Sequence, residues 1–426
     1  MRVTALQATF STKKAGGSFC RPAQVTNSIQ RAIPQSLSND TISFGNTAPS
    51  EFRENYAKGI TRQELILDNN RFVVLNDIKV DRLKTNGSTI EASNIATGDL
   101  SAEKSAIKAD SIKANTLSAA SCTSIEVPDI KTGTLSAADS IIQAIDVEAG
   151  TVSANNAIIE ASDGSIKAST LSASNNATIR TLGGSIEAGT LSADHSDIIT
   201  WMGGINADTL STNHSRIVTL GGIKTGTLSA NFTDIRTWIL GDIEATKELS
   251  VDHSTVKTME GSIKAGTLIA KNSSNIIASE SIRAGEVNID SSNIECMYIE
   301  TEVLSADNSN IMTSGNASIG KIEKFNNSKL YMLTKEGETD VARTLELSSI
   351  GSEVKEVVIV LKEISNFILS LGNFAITDLD NTLGKLKVYR LEGGIETLIP
   401  NSEWRKNMFN RESFIKVIRQ ATAAAA

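Results

Sequence analysis

The sequence predicts a mainly β protein: an elongated three-sided β-helix, or β-solenoid, of about thirteen coils, then a short α-helical coiled coil and a small C-terminal domain. Three observations predict it. One phrase recurs almost without gaps, as SIKASTLSASNNATI at 165–179, SIEAGTLSADHSDII at 185–199 and SIKAGTLIAKNSSNII at 262–277. Each recurrence carries three large aliphatic residues at fixed offsets. Near residue 347 the apolar spacing changes to alternating threes and fours.

The first two anchors of each unit run from Ile78/Leu83, Ile95/Leu100 and Ile112/Leu117 through Ile186/Leu191 and Ile205/Leu210 to Ile299/Leu304. They stand five apart in every unit except Ile243/Leu249. The third anchor follows the second by seven or eight, at Ile90, Ile107, Ile125 and so on to Ile311. A small or β-branched residue, such as Val80, Thr97, Ala114 or Ala168, lies two places after the first anchor. Positions i and i+2 share one face of a strand, so each strand points one large and one small residue inward. One unit cannot bury that face alone, whereas stacked units pair their strands and share a narrow core. A helical reading fails, because this spacing does not follow 3.6 and the Thr, Ser, Asn and Gly content disfavours helix.

In chain order, residues 1–50 are rich in Ser, Thr, Asn and Gln; they read as a disordered tail or as an extended arm that orders on a larger assembly. Residues 51–77 read as a cap over the first coil, since an open solenoid end invites stacking. The repeat shaft covers 78–318, with an exit segment at 319–345. Leu347, Ile350, Val354, Val357, Leu361, Ile364, Ile368 and Leu371 then occupy heptad a and d positions, which predicts an oligomerising coiled coil at 346–372. The run VVIVL at 357–361 also suits a buried strand. Residues 373–426 read as a docking or tip domain.

With 4% aromatic residues, the chain suits a thin core without room for large rings. A net charge of −8 argues against a nucleic-acid coat. Cys20, Cys122 and Cys296 lie far apart, with neither disulfide-framework nor zinc spacing. The start lacks an apolar signal core and no run is long enough for a membrane helix, so synthesis in a cytoplasm is expected.

All three histidines, His195, His214 and His253, lie four residues after the second anchor, and Phe232 takes that offset between them. Stacked coils place the four in one column. The column fits a turn-position ladder that elsewhere carries Asn156, Asn175, Asn272 and Asn308; three imidazoles in line are also candidate metal or pH-responsive groups. Acidic residues are scattered over turns, unlike the paired carboxylates of a glycan-cleaving spike. Phosphate loop, zinc spacing and nucleophile elbow are not found, so neither enzyme activity nor a cofactor is expected.

The phrase IKAGTLSAD, nearly intact at 263–270, 223–230 and 186–194, resembles repeats in phage-like tail-fibre and tail-tip proteins of viruses. The resemblance implies a non-enzymatic virion component, a fibre, spike or capsid-associated rod. It further implies a homotrimer, contacts with other virion proteins through one end, and a host-surface receptor or glycan as target. Some viral fibres intertwine three chains in one β-helix; three strands per unit favour a self-wound chain. A bacterial surface adhesin or a β-helical cytoskeletal filament is the alternative, with a glycan-cleaving spike as the third.

Overall fold

The computed structural model describes residues 41–44, 54–57, 60–74, 76–121, 123–239, 241–334, 342–364, 366–371, 383–405 and 408–410. Most of the expected N-terminal arm, Cys20, Cys122 and the C-terminal end from 411 lie outside the described residues, as do the side chains of 41–62 and of Leu371.

The chain winds on itself as a parallel β-solenoid of about 14 turns, against thirteen from the repeat. The anchors stack as their spacing requires. Val147, Ile166, Ile186, Ile205, Ile223, Ile243 and Ile263 pair in succession, and the strand of Ile243 takes up its one extra residue as a bulge beyond the anchor. The third anchors likewise pair in succession from Ile142 through Ile159, Ile179, Ile198, Ile217 and Ile235 to Val256. These residues are buried and belong to a single apolar core.

The expected first and second strands are one. Ile186–Asp194 is typical: a nine-residue strand holds both Ile186 and Leu191. Its corner lies inside the strand, where two successive residues turn outward, as at Asp81 and Arg82 of Asp77–Asn86. Two adjacent outward residues shift the inward phase by one, which explains a spacing of five where pure alternation would require an even number. Gly98 sits at this corner, where an added Cβ would lie 2.6 Å from the carbonyl oxygen of Asp81.

The solenoid extends beyond the repeat at both ends. Ile60–Asp68 pairs with Asp77–Asn86, so the expected cap at 51–77 is itself a coil. At the other end Ala317–Asn326 and Lys329–Leu333 continue the two ladders.

The expected coiled coil is overturned. Residues Ala342–Ile350, Val357–Lys362 and Asn366–Leu371 are strands. The first pairs with the strand at 317–326, the second with 329–333, and the third with the first. Among the expected seam residues Leu347, Val354, Val357 and Leu361 are buried in the solenoid core, Ile350 and Ile364 pack partly against it, and Ile368 lies half-buried on its strand. The physical reason is the template. The last regular coil offers an open row of N–H and C=O groups, and a β-branched VVIVL run completes that row. Val357, Ile359 and Leu361 then point inward with period two.

The expected separate C-terminal domain is absent among the described residues. Leu386–Glu392 adds another rung by pairing with Val357–Lys362, and Leu386 and Val388 join the common core. Ile395–Leu398 folds back on that rung as the antiparallel strand of a hairpin. A short helix, Asn401–Trp404, follows with Trp404 buried.

Candidate functional site

Two corners border the short third strand; the first is built from a polar ladder, and the second is so built where it is enlarged. At the first corner these coils place a residue in the left-handed region: Asn156, Asn175, His195, His214, Phe232, His253, Asn272 and Asn308 have φ between 46° and 53°, with Asn176 and Ser273 following at 65°. The following Ser or Thr turns inward. Ser196, Ser215, Thr233 and Ser254 are buried, and each hydroxyl donates to the carbonyl two residues back, at 2.8, 2.8, 2.8 and 2.6 Å. Two of these oxygens also serve the neighbouring coil: the Ser196 N–H donates to Ser215 Oγ at 3.2 Å, and the Thr233 N–H to Ser254 Oγ at 2.8 Å. The hydroxyl column thus satisfies backbone groups that a buried turn would leave orphaned.

The expected column of imidazoles exists. His195 and His214 stack with centroids 4.7 Å apart, His214 and Phe232 at 4.8 Å, and Phe232 and His253 at 4.6 Å, all within 15° of parallel. Beside it runs a ladder of amides and carboxylates. Asn231 Nδ2 donates to Asn213 Oδ1 at 3.0 Å, and Asn213 Nδ2 donates to Asp194 Oδ1 at 2.8 Å. That amide, with the His195 ring at 2.9 Å behind it, holds the Asp194 carboxyl below its usual range.

The three histidines do not form one site, because Phe232 separates His253 from the others. Asp194, His195 and His214 do converge, with candidate ligand atoms within 4.8 Å of one another. Two ligands of one zinc ion at about 2.1 Å each stand at most about 4.2 Å apart. Rings held parallel by stacking therefore do not close on an ion without turning, and all three side chains are exposed. The turn-ladder reading accounts for the column.

The second corner differs along the rod. In the 78–147 region the second corner is tight: the third strand runs straight into the next first strand in Thr89–Glu103 and Ala106–Ala120, and breaks for only one or two residues between Ser124–Glu126 and Asp129–Ala138 and between Ile141–Ala144 and Asp146–Asn155. From Ile159 to Val256 extra residues stand between third anchor and first anchor: SDGS, LGGS, WMGG, LGG, WILGD and MEGS. A buried threonine latches each enlarged corner from Leu182 onward. Thr181, Thr200, Thr219, Thr237 and Thr258 are buried, and each hydroxyl donates to a glycine carbonyl of its own corner, at 2.6, 2.8, 3.1, 2.5 and 2.7 Å. Tight corners carry Ala92, Ala109 and Ala144 at the same place. This Ala-to-Thr change two residues after the third anchor is a sequence signal that the repeat analysis passed over.

The enlarged corners project a ridge. Trp201, Leu220, Trp238 and Met259 occupy the same rung position, each N–H donating to the carbonyl of the preceding coil's latch Thr at 2.9 to 3.0 Å. Trp201 is 43% exposed, Trp238 40% and Met259 40%; the next residues, Met202 and Ile239, are 78% and 57% exposed. Exposed apolar residues also occur elsewhere, such as Ile145 and Ile395; here five of them fall on nearby rungs of one edge. Between the ridge and the imidazole column lies the third face, about 13 Å wide for a four-residue strand. Its outward charges are paired: Arg216 with Asp197 at 2.6 Å and Arg236 with Asp234 at 2.7 Å. Where the corners are tight, the same edge is instead an open groove lined by Glu91, Lys108, Val127, Pro128 and Ile145.

No protein family, curated protein or solved structure matches the chain. No helix among the described residues is long and apolar enough to cross a membrane.

Proposed function

We propose that this chain is a non-catalytic structural rod of a virus particle, a fibre, spike or capsid-associated element that presents its lateral faces to a host surface. One observation carries the rod: parallel strand pairing that runs from Thr41–Phe44 to Met408–Asn410 among the described residues, each coil hydrogen-bonded to the next. Such a ladder resists bending and repeats any surface feature at one strand spacing, which suits a projecting element. At about 14 turns the shaft is roughly 65 Å long. Assignment to a virion rests on the likeness of the IKAGTLSAD phrase to viral fibre repeats. Assembly as a homotrimer, with one end held by other virion proteins, belongs to the same reading.

The test is immunogold labelling of source particles with antibodies against 262–277, beside negative-stain images of the purified chain. Rods of the stated length and gold on particle projections support the proposal. Gold on a cell envelope instead transfers the rod to a bacterial adhesin, and globular images remove the rod itself.

A further inference from the structure

From the ridge of enlarged corners we infer a self-association surface: Trp201, Met202, Trp238, Ile239 and Met259 dock against a second copy of this chain. The proposal concerns how the rod assembles and holds whichever particle or surface carries it.

The shape of the ridge selects the partner. It is one or two residues wide, straight, and parallel to the rod axis, because its members are stacked by backbone hydrogen bonds from coil to coil. A partner that follows such a line for several rungs at the same rise is another rod of the same pitch. Every level is apolar: Leu182, Trp201, Leu220, Trp238 and Met259 succeed one another, bounded by Ser162 and Ser279. The order is also nearly symmetric about Leu220, with a Trp on either side and a projecting Met202 or Ile239 beside each Trp. A second ridge laid antiparallel along the first meets apolar side chains at each level, and sets the exposed Glu260 that follows Met259 beside the partner's Leu182 level, away from the other copy's Glu260.

The chemistry of the residues favours protein over sugar. Aromatic faces alone could serve either, but the most exposed members, Met202 and Ile239, are aliphatic and offer nothing to a hydroxylated ligand. Trp and Met are enriched in protein interfaces, where Trp commonly dominates the binding energy. The five exposed side chains present on the order of 500 Å² to a partner, over half of the roughly 800 Å² per partner in a standard interface. Contacts from the flanking faces complete it, with the indoles as anchors.

The deciding experiment is sedimentation velocity on the full chain from about 1 to about 100 µM, comparing wild type with W201S/W238S and with M202E/I239E. The second variant changes only the two most exposed members and guards against a folding effect of losing the indoles. Circular dichroism and thermal melting verify that both retain the wild-type fold. The expected result is concentration-dependent association of the wild type and a dissociation constant raised at least ~100-fold in each variant. A wild type that stays monomeric throughout overturns the proposal, as does association that both variants leave unchanged. Retention of a monomeric wild type on immobilised polysaccharide, lost in both variants, also overturns it and assigns the ridge to a glycan.

Discussion

The coils of 78–147 and those of 166–263 share three anchors, one core and one hydroxyl-lined first corner, and they differ at the second corner. In the first group Ile90 and Ile95, or Ile107 and Ile112, stand five apart across it; in the second, Ile179 and Ile186, or Ile235 and Ile243, stand seven or eight apart. One added residue between Ile217 and Ile223, and two or three in the other coils, change the edge of the rod from a groove into an apolar ridge. They also bring carbonyls that face no neighbouring strand, and Thr181 to Thr258 receive the task of satisfying them. The lesson is that a solenoid tolerates variation where the chain leaves the ladder, provided that each new buried polar group finds a partner.

The largest expected effect sharpens the comparison at its boundary. Cys296 replaces the latch Thr in the tight corner between Ile294 and Ile299, aligned with Thr313. Burial pushes its thiol up to about 12. Thiolate is the reactive form, so alkylation of the Cys296 peptide near pH 8 should run at least ~10³-fold slower in the folded chain than in denaturant. Mass spectrometry of that peptide reads the ratio, and equal rates would show a corner that opens. Because this pKa is raised on folding, the associated stabilisation is present below the ordinary thiol value and is lost as pH rises through about 12.

Next in size is the packing of the enlarged corners. A Cβ at Gly261 would sit 2.6 Å from the Gly241 carbonyl oxygen, whereas one at Gly384 meets nothing within 4 Å. Gly261→Ala should cost about 2–4 kcal/mol, and Gly384→Ala less than ~0.5 kcal/mol. Repeat arrays open locally, so hydrogen exchange over 258–263 is the proper readout. Similar protection in the two variants would break the account of the corner.

Thr219→Val removes the latch hydroxyl but preserves shape. Its oxygen lies 3.1 Å from the Gly221 carbonyl oxygen, 3.0 Å from that of Gly203 and 2.6 Å from Thr200 Oγ1. A loss of about 1–3 kcal/mol in local opening is expected, with Thr219→Ser recovering most of it.

The smallest effect lies at the other corner. Asn213→Ala removes the amide that chiefly lowers the Asp194 carboxyl, so its NMR titration midpoint should move up toward the ordinary aspartate range. The lowered pKa makes the contribution present above the unfolded value and lost as pH falls through the folded one. An unmoved midpoint would assign the shift to the next cause, the His195 ring.

The solenoid, its register and the imidazole column were legible from spacing alone. Identical offsets force residues such as Ile186 and Ile205 onto the same inward site, whatever the side chains around them. Period-two patterning is a local property of the strand, and repetition converts it into long-range contact. The fate of 347–371 was not legible, since Leu347, Val357 and Leu361 satisfy both a heptad and a strand. Only the exposed edge of the preceding coil, some 28 residues back in the pairing of Ala317 with Leu345, decided for strand. The ridge was likewise a tertiary result. A Trp in WMGG or WILGD reads as core or surface with equal ease, and its exposure is set by how far the glycine-bearing corner swings from the ladder. Sequence thus determined which residues repeat and therefore stack; the tertiary structure decided which of the others have neighbours, because burial and hydrogen-bond partners come from the adjacent coil.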